Sequence, residues 1–151
     1  MAGEVIQLTE FSSAHVDQLH ALYQNEWWSH DRTVEQTQKA IAGSSLNFGF
    51  VNRDTDELVA YTRVLSDFVL KAIISDVIVR PDFRNHGLGA RLMEAVLSHP
   101  ALAEVKRFEL SCLPEMEPFY ARWGFTADLS ATRRLLKAFS PKPIPAESLS
   151  G

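Results

Sequence analysis

The chain has 151 residues, 46% hydrophobic and 23% charged, with a net charge of −4 and a single cysteine, Cys112. That length suits one domain able to bury about two thirds of its unfolded surface. No apolar run approaches the ~20 residues that span a bilayer, the first residues offer neither the basic region nor the apolar core of a secretory signal, and the acidic balance gives no footprint for nucleic acid. One cysteine cannot close an internal disulfide, which fits a reducing cytoplasm.

The predicted elements follow in chain order. Glu4 to Leu8 alternates weakly and reads as a first strand. Ser12 or Ser13 offers an N-cap for a helix carrying Val16, Leu19 and Tyr23 at helical spacing. Thr33-Val-Glu-Gln36 matches a capping box, and Val34, Thr37 and Ile41 share the face of a second helix ending near Gly43. Leu46 to Val51, Leu58 to Leu65 and Ala72 to Val79 read as three strands of an antiparallel meander, joined by the turn Asp54 to Glu57 and a connection around Asp67. A third helix is expected from Leu88 to about Ser98, a strand from Val105 to Cys112, a helix from Pro114 to Arg122 and a returning strand from Arg133 to Phe139. The last residues, Ser140 to Gly151, hold three prolines and little to bury, so a mobile tail is expected after a single domain over residues 1–139.

The densest signal lies between Val77 and Met93. A β-branched run ends at Pro81, which has no N–H for a ladder, and an amphipathic helix opens at Leu88 with Leu92, Ala95 and Val96 on its apolar face. Between them, Arg84-Asn-His-Gly87-Leu-Gly89-Ala90 places glycines where side chains would hold a ligand away from the backbone. The first helical turn has N–H groups without partners and a partial positive charge, so this order of elements suits an anion such as a phosphate. A Walker loop is excluded, because no lysine followed by a hydroxyl residue stands near these glycines. The dinucleotide fingerprint wants a small residue where Leu92 stands, although Glu109 lies about where a ribose-binding acid would be.

With these residues in view, the chain resembles a known family. Arg84-x-x-Gly87-x-Gly89 after a strand ending Val-x-Pro, then Phe119-Tyr120-Ala-Arg-Trp-Gly124-Phe125 about thirty residues on, is similar to the GNAT superfamily of acyl-coenzyme A dependent N-acetyltransferases. Glu26-Trp27-Trp28, Phe48-Gly49-Phe50, Ala60 to Asp67 and Ser75-Asp76-Val77 resemble its compact bacterial members, and the likeness runs over roughly residues 4–138. Asn85-His86 departs from the commoner small or basic pair before the first glycine. The resemblance implies an α/β (α+β) fold: a mixed, mostly antiparallel central sheet flanked by helices, with Ile74 to Val79 splayed from Phe108 to Leu113 at the acyl-coenzyme A site.

It also implies the site. Amides from about His86 to Ala90, within the stretch Arg84, Asn85, His86, Gly87, Leu88, Gly89 and Ala90, would hold the pyrophosphate of acetyl-coenzyme A. Backbone groups near Ile78 and Val79 would pair with the pantetheine arm like an added strand. Tyr120 occupies the position of the acid that protonates the departing thiolate. A primary amine has a pKa near ~10.4, so a base or water chain is needed, and Asp76, Asp67 and Glu26 are candidates, Asp76 being also a natural structural acceptor. The acceptor expected is a small-molecule or peptide amine; a homodimer stays open. No metal is expected, since His15, His20, His30, His86 and His99 show no ligand spacing. Trp27 and Trp28 could line an acceptor pocket or close the core, and Cys112 reads as an inert core residue in an apolar strand. Two other readings stay open: a coenzyme A binding sensor without turnover and, more distantly, a dinucleotide-dependent oxidoreductase.

Overall fold

A computed structural model describes residues 4–127 and 131–138. They fall into two units, divided between Leu110 and Ser111.

The first unit is built on a five-stranded sheet in the order β1-β2-β3-β4-β5: β1 Val5–Leu8, β2 Leu46–Asn52, β3 Leu58–Ser66, β4 Lys71–Val79 and β5 Arg107–Glu109. β2 to β4 pair antiparallel as the expected meander, β1 adds antiparallel to β2, and β5 joins β4 in parallel. Two helices connect β1 to β2. α1 Ser13–Gln24 is capped by Ser12, whose hydroxyl accepts from the His15 amide while the His15 ring meets the Ser12 N–H. α2 Val34–Gly43 carries the expected reciprocal box between Thr33 and Gln36. The connection at Asp67 is an acidic turn: one carboxylate oxygen accepts from the amides of Val69, Leu70 and Lys71.

Leu19, Leu22 and Tyr23 of α1 pack with Val51, Leu58, Tyr61 and Ile78 from three strands, and Trp28 lies against the same cluster. α3 Leu88–Leu97 buries Leu88, Leu92, Met93 and Val96, so Met93 joins the stripe expected from sequence and Ala95 stays half-buried.

β4 is irregular in its middle. Tyr61 pairs with Ile78 but Arg63 pairs with Ser75, so Thr62 alone faces both Asp76 and Val77. Asp76 has a positive φ of 59°. This is a β-bulge, and its left-handed residue costs roughly 1–2 kcal/mol in a non-glycine side chain. The Thr62 hydroxyl donates to the Ser75 carbonyl that the interrupted ladder leaves behind.

The fifth strand is shorter than its sequence suggests. Only Arg107–Glu109 pairs, in register with Lys71, Ala72 and Ile73. Beyond Ile73 β4 runs on without this neighbour, and among the described residues Ile74 to Val79 has no ladder partner on that edge.

In the second unit a 3-10 turn, Pro114–Met116, leads into α4 Glu117–Ala121, and turns carry the chain on to Gly124, whose φ is 87°. The Tyr120 ring meets Phe119 and Phe125 edge-on, and Arg122 lies over Phe119 and Trp123. Two expectations fail here. Cys112 is exposed, because no ladder orders the chain after Glu109 and nothing forces alternate side chains inward. Residues Arg133 to Ala138 form no strand: Leu135 and Leu136 are 89% and 75% exposed, and without a ladder partner the apolar pattern has nothing to pair with. Phe139 and the tail from Ser140 to Gly151 lie outside the described residues.

Candidate functional site

The glycine turn has the conformation its residues call for. After Pro81–Phe83 forms a short 3-10 turn, Asn85 and Gly87 both take left-handed backbone, with φ 67° and 78°. Asparagine tolerates that region and glycine enters it without strain. A Cβ on Gly87 would meet nothing within 4 Å, so conformation, not crowding, explains the glycine. Gly87 is the N-cap of α3, and the first intrahelical bond runs from the Arg91 amide to the Gly87 carbonyl at 3.0 Å. No side chain caps this helix and no acidic residue stands in its first turn. The amides of Leu88, Gly89 and Ala90 therefore have no acceptor within the helix, and Arg84 to Gly87 are exposed beside them. A pyrophosphate fits this cradle by its donors and its sign of charge.

The open edge of β4 adjoins the cradle. Arg80 donates to the Val59 carbonyl, so ladder alternation turns the N–H and C=O of Val79 toward the side away from β3. Ile78 is buried in the α1 cluster, while the Val79 carbonyl accepts from Arg84 Nε at 2.9 Å. Arg84 Nη2 also reaches Glu26 at 2.9 Å. An added strand can use the Val79 N–H directly, and shares the carbonyl with the Arg84 side chain.

The three candidate bases are all engaged. Asp67 holds its turn, with its pKa lowered by the Val69, Leu70 and Lys71 amides. Glu26 pairs with Arg84. Asp76 accepts from Tyr23 Oη at 3.0 Å, Arg63 Nε at 2.7 Å, and Arg32 Nη1 and Nη2 at 2.8 and 3.3 Å. Burial pushes its carboxyl upward, but Arg32 and Arg63 outweigh burial and hold it below the ordinary carboxylate range. A carboxylate so stabilised is a poor proton acceptor near neutrality, and its structural role is plain: it anchors the bulge. Sequence reasoning missed Arg32 and Arg63 as its partners. The available signal was an arginine and an aspartate inside two apolar strands that pair with one another.

Trp28 meets the Tyr23 ring edge-on, and the Arg32 guanidinium lies 4.5 Å from the Tyr23 ring centre and 5.3 Å from that of Trp28. Beside this cluster opens a cavity of about 320 Å³ lined by Asp31, Arg32, Gln36, Ala40 and Arg63. In the second unit Tyr120 is buried, and burial, then the nearby Cys112, pushes its pKa up to about 12. Its proton is thus held throughout the physiological range. Exposed as the residue is, partial desolvation of its sulfur, then the acids Glu117 and Glu115, raise the Cys112 thiol, which argues against a reactive thiolate. Glu109, the acid that a dinucleotide site would direct at a ribose, instead pairs with Lys71 and Arg107. Among the described residues there is no metal-binding cluster and no helix long and apolar enough to cross a membrane.

The chain is similar to known proteins over most of its length. The ycf52 protein of Porphyra purpurea, described as an uncharacterised N-acetyltransferase, is 27% identical over 125 residues, 82% of this chain and 71% of its own. A crystal structure from Xanthomonas campestris pv. campestris, of a protein assigned to the GNAT family, is 33% identical with a TM-score of 0.76 over 90% of this chain and 96% of that one. One from Deinococcus radiodurans, at 24% identity and a TM-score of 0.73 over 91% and 90% of the two chains, shares the fold. The family model for the acetyltransferase (GNAT) domain matches residues 8–135, taking in the bulged strand, the glycine turn and the Phe119-Tyr120 segment together, and the chain belongs to that family.

Proposed function

We propose that this protein is an N-acetyltransferase that moves the acetyl group of acetyl-coenzyme A to a primary amine by direct attack in a ternary complex. The observation that carries the reading is the run of amides at Leu88, Gly89 and Ala90 beside the edge of β4 that has no ladder partner among the described residues. In this reading the amides hold the pyrophosphate, the Val79 edge aligns the pantetheine, and the bound coenzyme supplies an acyl group activated as a thioester. Arg84, already on the Val79 carbonyl, shares it with the arm. Tyr120 donates its proton to the departing sulfur, a task its raised pKa suits because the phenol stays loaded until the transition state. With Asp76, Asp67 and Glu26 all engaged, water relays the amine proton. We take residues 1–139 as the catalytic domain and the reducing cytoplasm as its compartment, with a small-molecule or peptide amine as acceptor.

The test is thermal unfolding with acetyl-coenzyme A, coenzyme A or NAD, in the wild type and Gly89→Glu. Gly89 sits in the first turn of α3, where a glutamate improves helix propensity and faces the positive end of the dipole, and the ligand-free unfolding curve of the variant reports whether it folds. Its carboxylate would occupy the anion cradle. Saturation at about a hundred times Kd should add roughly 2.7 kcal/mol to the wild type, or about 5–10 °C. Gly89→Glu should lose that shift. No shift with either coenzyme A species, or a larger one with NAD, would refute the donor site. Binding without thiol release across an amine panel would refute turnover.

A further inference from the structure

The sheet has a second stretch of edge without a ladder partner. β1 ends at Leu8, opposite Gly49, so the first three residues of β2, Leu46, Asn47 and Phe48, pair with β3 but with no strand on the β1 side among the described residues. The Arg53 amide donates to the Glu4 carbonyl, and ladder alternation then turns the N–H and C=O of Val51, Gly49 and Asn47 toward that side. Val51 meets Ile6 there and Gly49 meets Leu8, whereas Asn47 meets no residue of β1. Exposed edges are commonly blunted by lysine, proline or a bulge, and Leu46-Asn47-Phe48 carries none of these.

Asn47 stands on the wall of a cavity of about 590 Å³, a volume in the range of ligand sites. Its sides suit an extended chain. Strand alternation puts Leu46 and Phe48 on one face, where the His99 ring meets Phe48 edge-on, while Leu8, Phe11 and Ile41 pack with the α1 cluster on the other. The surroundings of Asn47 are fixed. Phe11 lies so close over Gly49 that a Cβ there would come within 2.9 Å of its ring, and the Asn47 side chain donates to the Ile41 carbonyl and accepts from the Tyr61 hydroxyl. Glu10 is exposed at the rim. It is the only carboxylate of the lining, which has no lysine or arginine, and it has no partner among the described residues.

We propose that this edge binds an extended peptide segment, which adds a strand beside Asn47 and carries a basic side chain toward Glu10. Main-chain pairing supplies the attachment, and the apolar groups on the two faces receive alternate side chains. The sign of the peptide's charge follows from Glu10, and the net charge of −4 on the chain acts in the same direction. The edge lies on the side of the sheet away from β4, so the inference does not depend on the acetyl-transfer reading.

The test is a nitrogen-15 titration of the full chain with the capped pentapeptide acetyl-Thr-Val-Lys-Val-Thr-amide. The comparison peptides have Glu in place of Lys, or are N-methylated at one or the other set of alternate amides. The Lys peptide should move the Asn47 amide signal and slow its hydrogen exchange. The Glu peptide should bind about three- to tenfold more weakly, the effect of an exposed charge pair turned from attraction to repulsion. One N-methylated peptide should lose binding and the other keep it, since a strand pairs through one edge. Glu10→Lys, a change at an exposed position, should reverse the preference between the Lys and Glu peptides. An Asn47 signal unmoved by the Lys peptide, equal binding of the two N-methylated peptides, or no preference between Lys and Glu would overturn the proposal. So would a preference that survives Glu10→Lys. A peptide-free protein that sediments as a dimer with the Asn47 amide already protected would put a second copy on this edge and overturn it as well.

Discussion

Replacing Asp76 with asparagine removes one charge and almost no volume. Asparagine tolerates left-handed backbone much as aspartate does, so the bulge conformation is kept and the electrostatic contribution is isolated. What remains are two partly buried guanidinium groups without a counter-ion, and an amide with one oxygen in place of two. Four contacts between 2.7 and 3.3 Å are lost or weakened. Breaking a buried pair from one side costs about 3–5 kcal/mol. The arginines reach some solvent, at 27% and 18% exposure, so the lower half of that range applies, about 3–4 kcal/mol. For a domain of this length that is a fall in Tm of roughly 6–16 °C. Urea unfolding of the wild type, Asp76→Asn, Arg63→Met and the double variant measures it, and the cycle should show coupling of about 1 kcal/mol or more. The acid limb adds a signed check. The folded pKa of Asp76 is depressed, so its contribution is complete above the unfolded value near ~3.9 and disappears as pH falls through the lower folded value. The difference between wild type and Asp76→Asn should therefore shrink only below about pH 4. A cost under about 1 kcal/mol, or strictly additive variants, would refute the assignment of Asp76 as the anchor of the bulge.

Three other outcomes are expected. Gly87→Ala should cost about 1–2 kcal/mol of stability from its φ of 78° alone, since its Cβ meets nothing within 4 Å; a neutral result in urea unfolding would show that the turn relaxes out of the left-handed region. Tyr120→Phe should lower kcat about a hundredfold, with the acetyl-coenzyme A thermal shift unchanged, and an unaltered kcat would remove Tyr120 from the chemistry. All three tyrosines of the chain, Tyr23, Tyr61 and Tyr120, have their pKa values raised, burial being the main cause in each. Because unfolded tyrosine titrates near ~10, this stabilisation is complete below about pH 10 and is lost as pH climbs toward the folded values. Tyrosinate absorbance should stay absent until about pH 11 and then rise with unfolding; a tyrosine titrating near pH 10 in the native protein would contradict the burial.

The elements legible in the sequence are those with local causes. Thr33 and Gln36 wrote the start of α2, Ser12 the start of α1, and the alternation from Leu46 to Val79 the meander, because caps and two-residue periodicity act within a few residues. The glycine turn was legible for the same reason. What depended on distant partners was not. Val105 to Cys112 looks like a full strand, yet its length is set by where β4 stops pairing with it, which no local pattern records. The exposed Leu135 and Leu136 show the same failure, an apolar pair without a ladder. Arg32 and Arg63 escaped notice because their meaning lies in Asp76, far away in sequence and adjacent only after the sheet has formed.

The extra residue in β4 makes the strand change sides. Ile74 lies opposite Val64 and Ile78 opposite Tyr61. Val64 and Tyr61 are an odd number of positions apart on β3 and so point to opposite faces, whereas Ile74 and Ile78, an even number apart, would share one face on a regular strand. One strand thereby contributes a buried isoleucine to each layer. Residue number is constrained between Ser75 and Val77 as well as the identity of Asp76: removing any one of the three would restore continuous pairing and turn Ile78 out of the cluster it fills with Tyr23 and Tyr61. Unlike a surface loop, this stretch should tolerate no deletions.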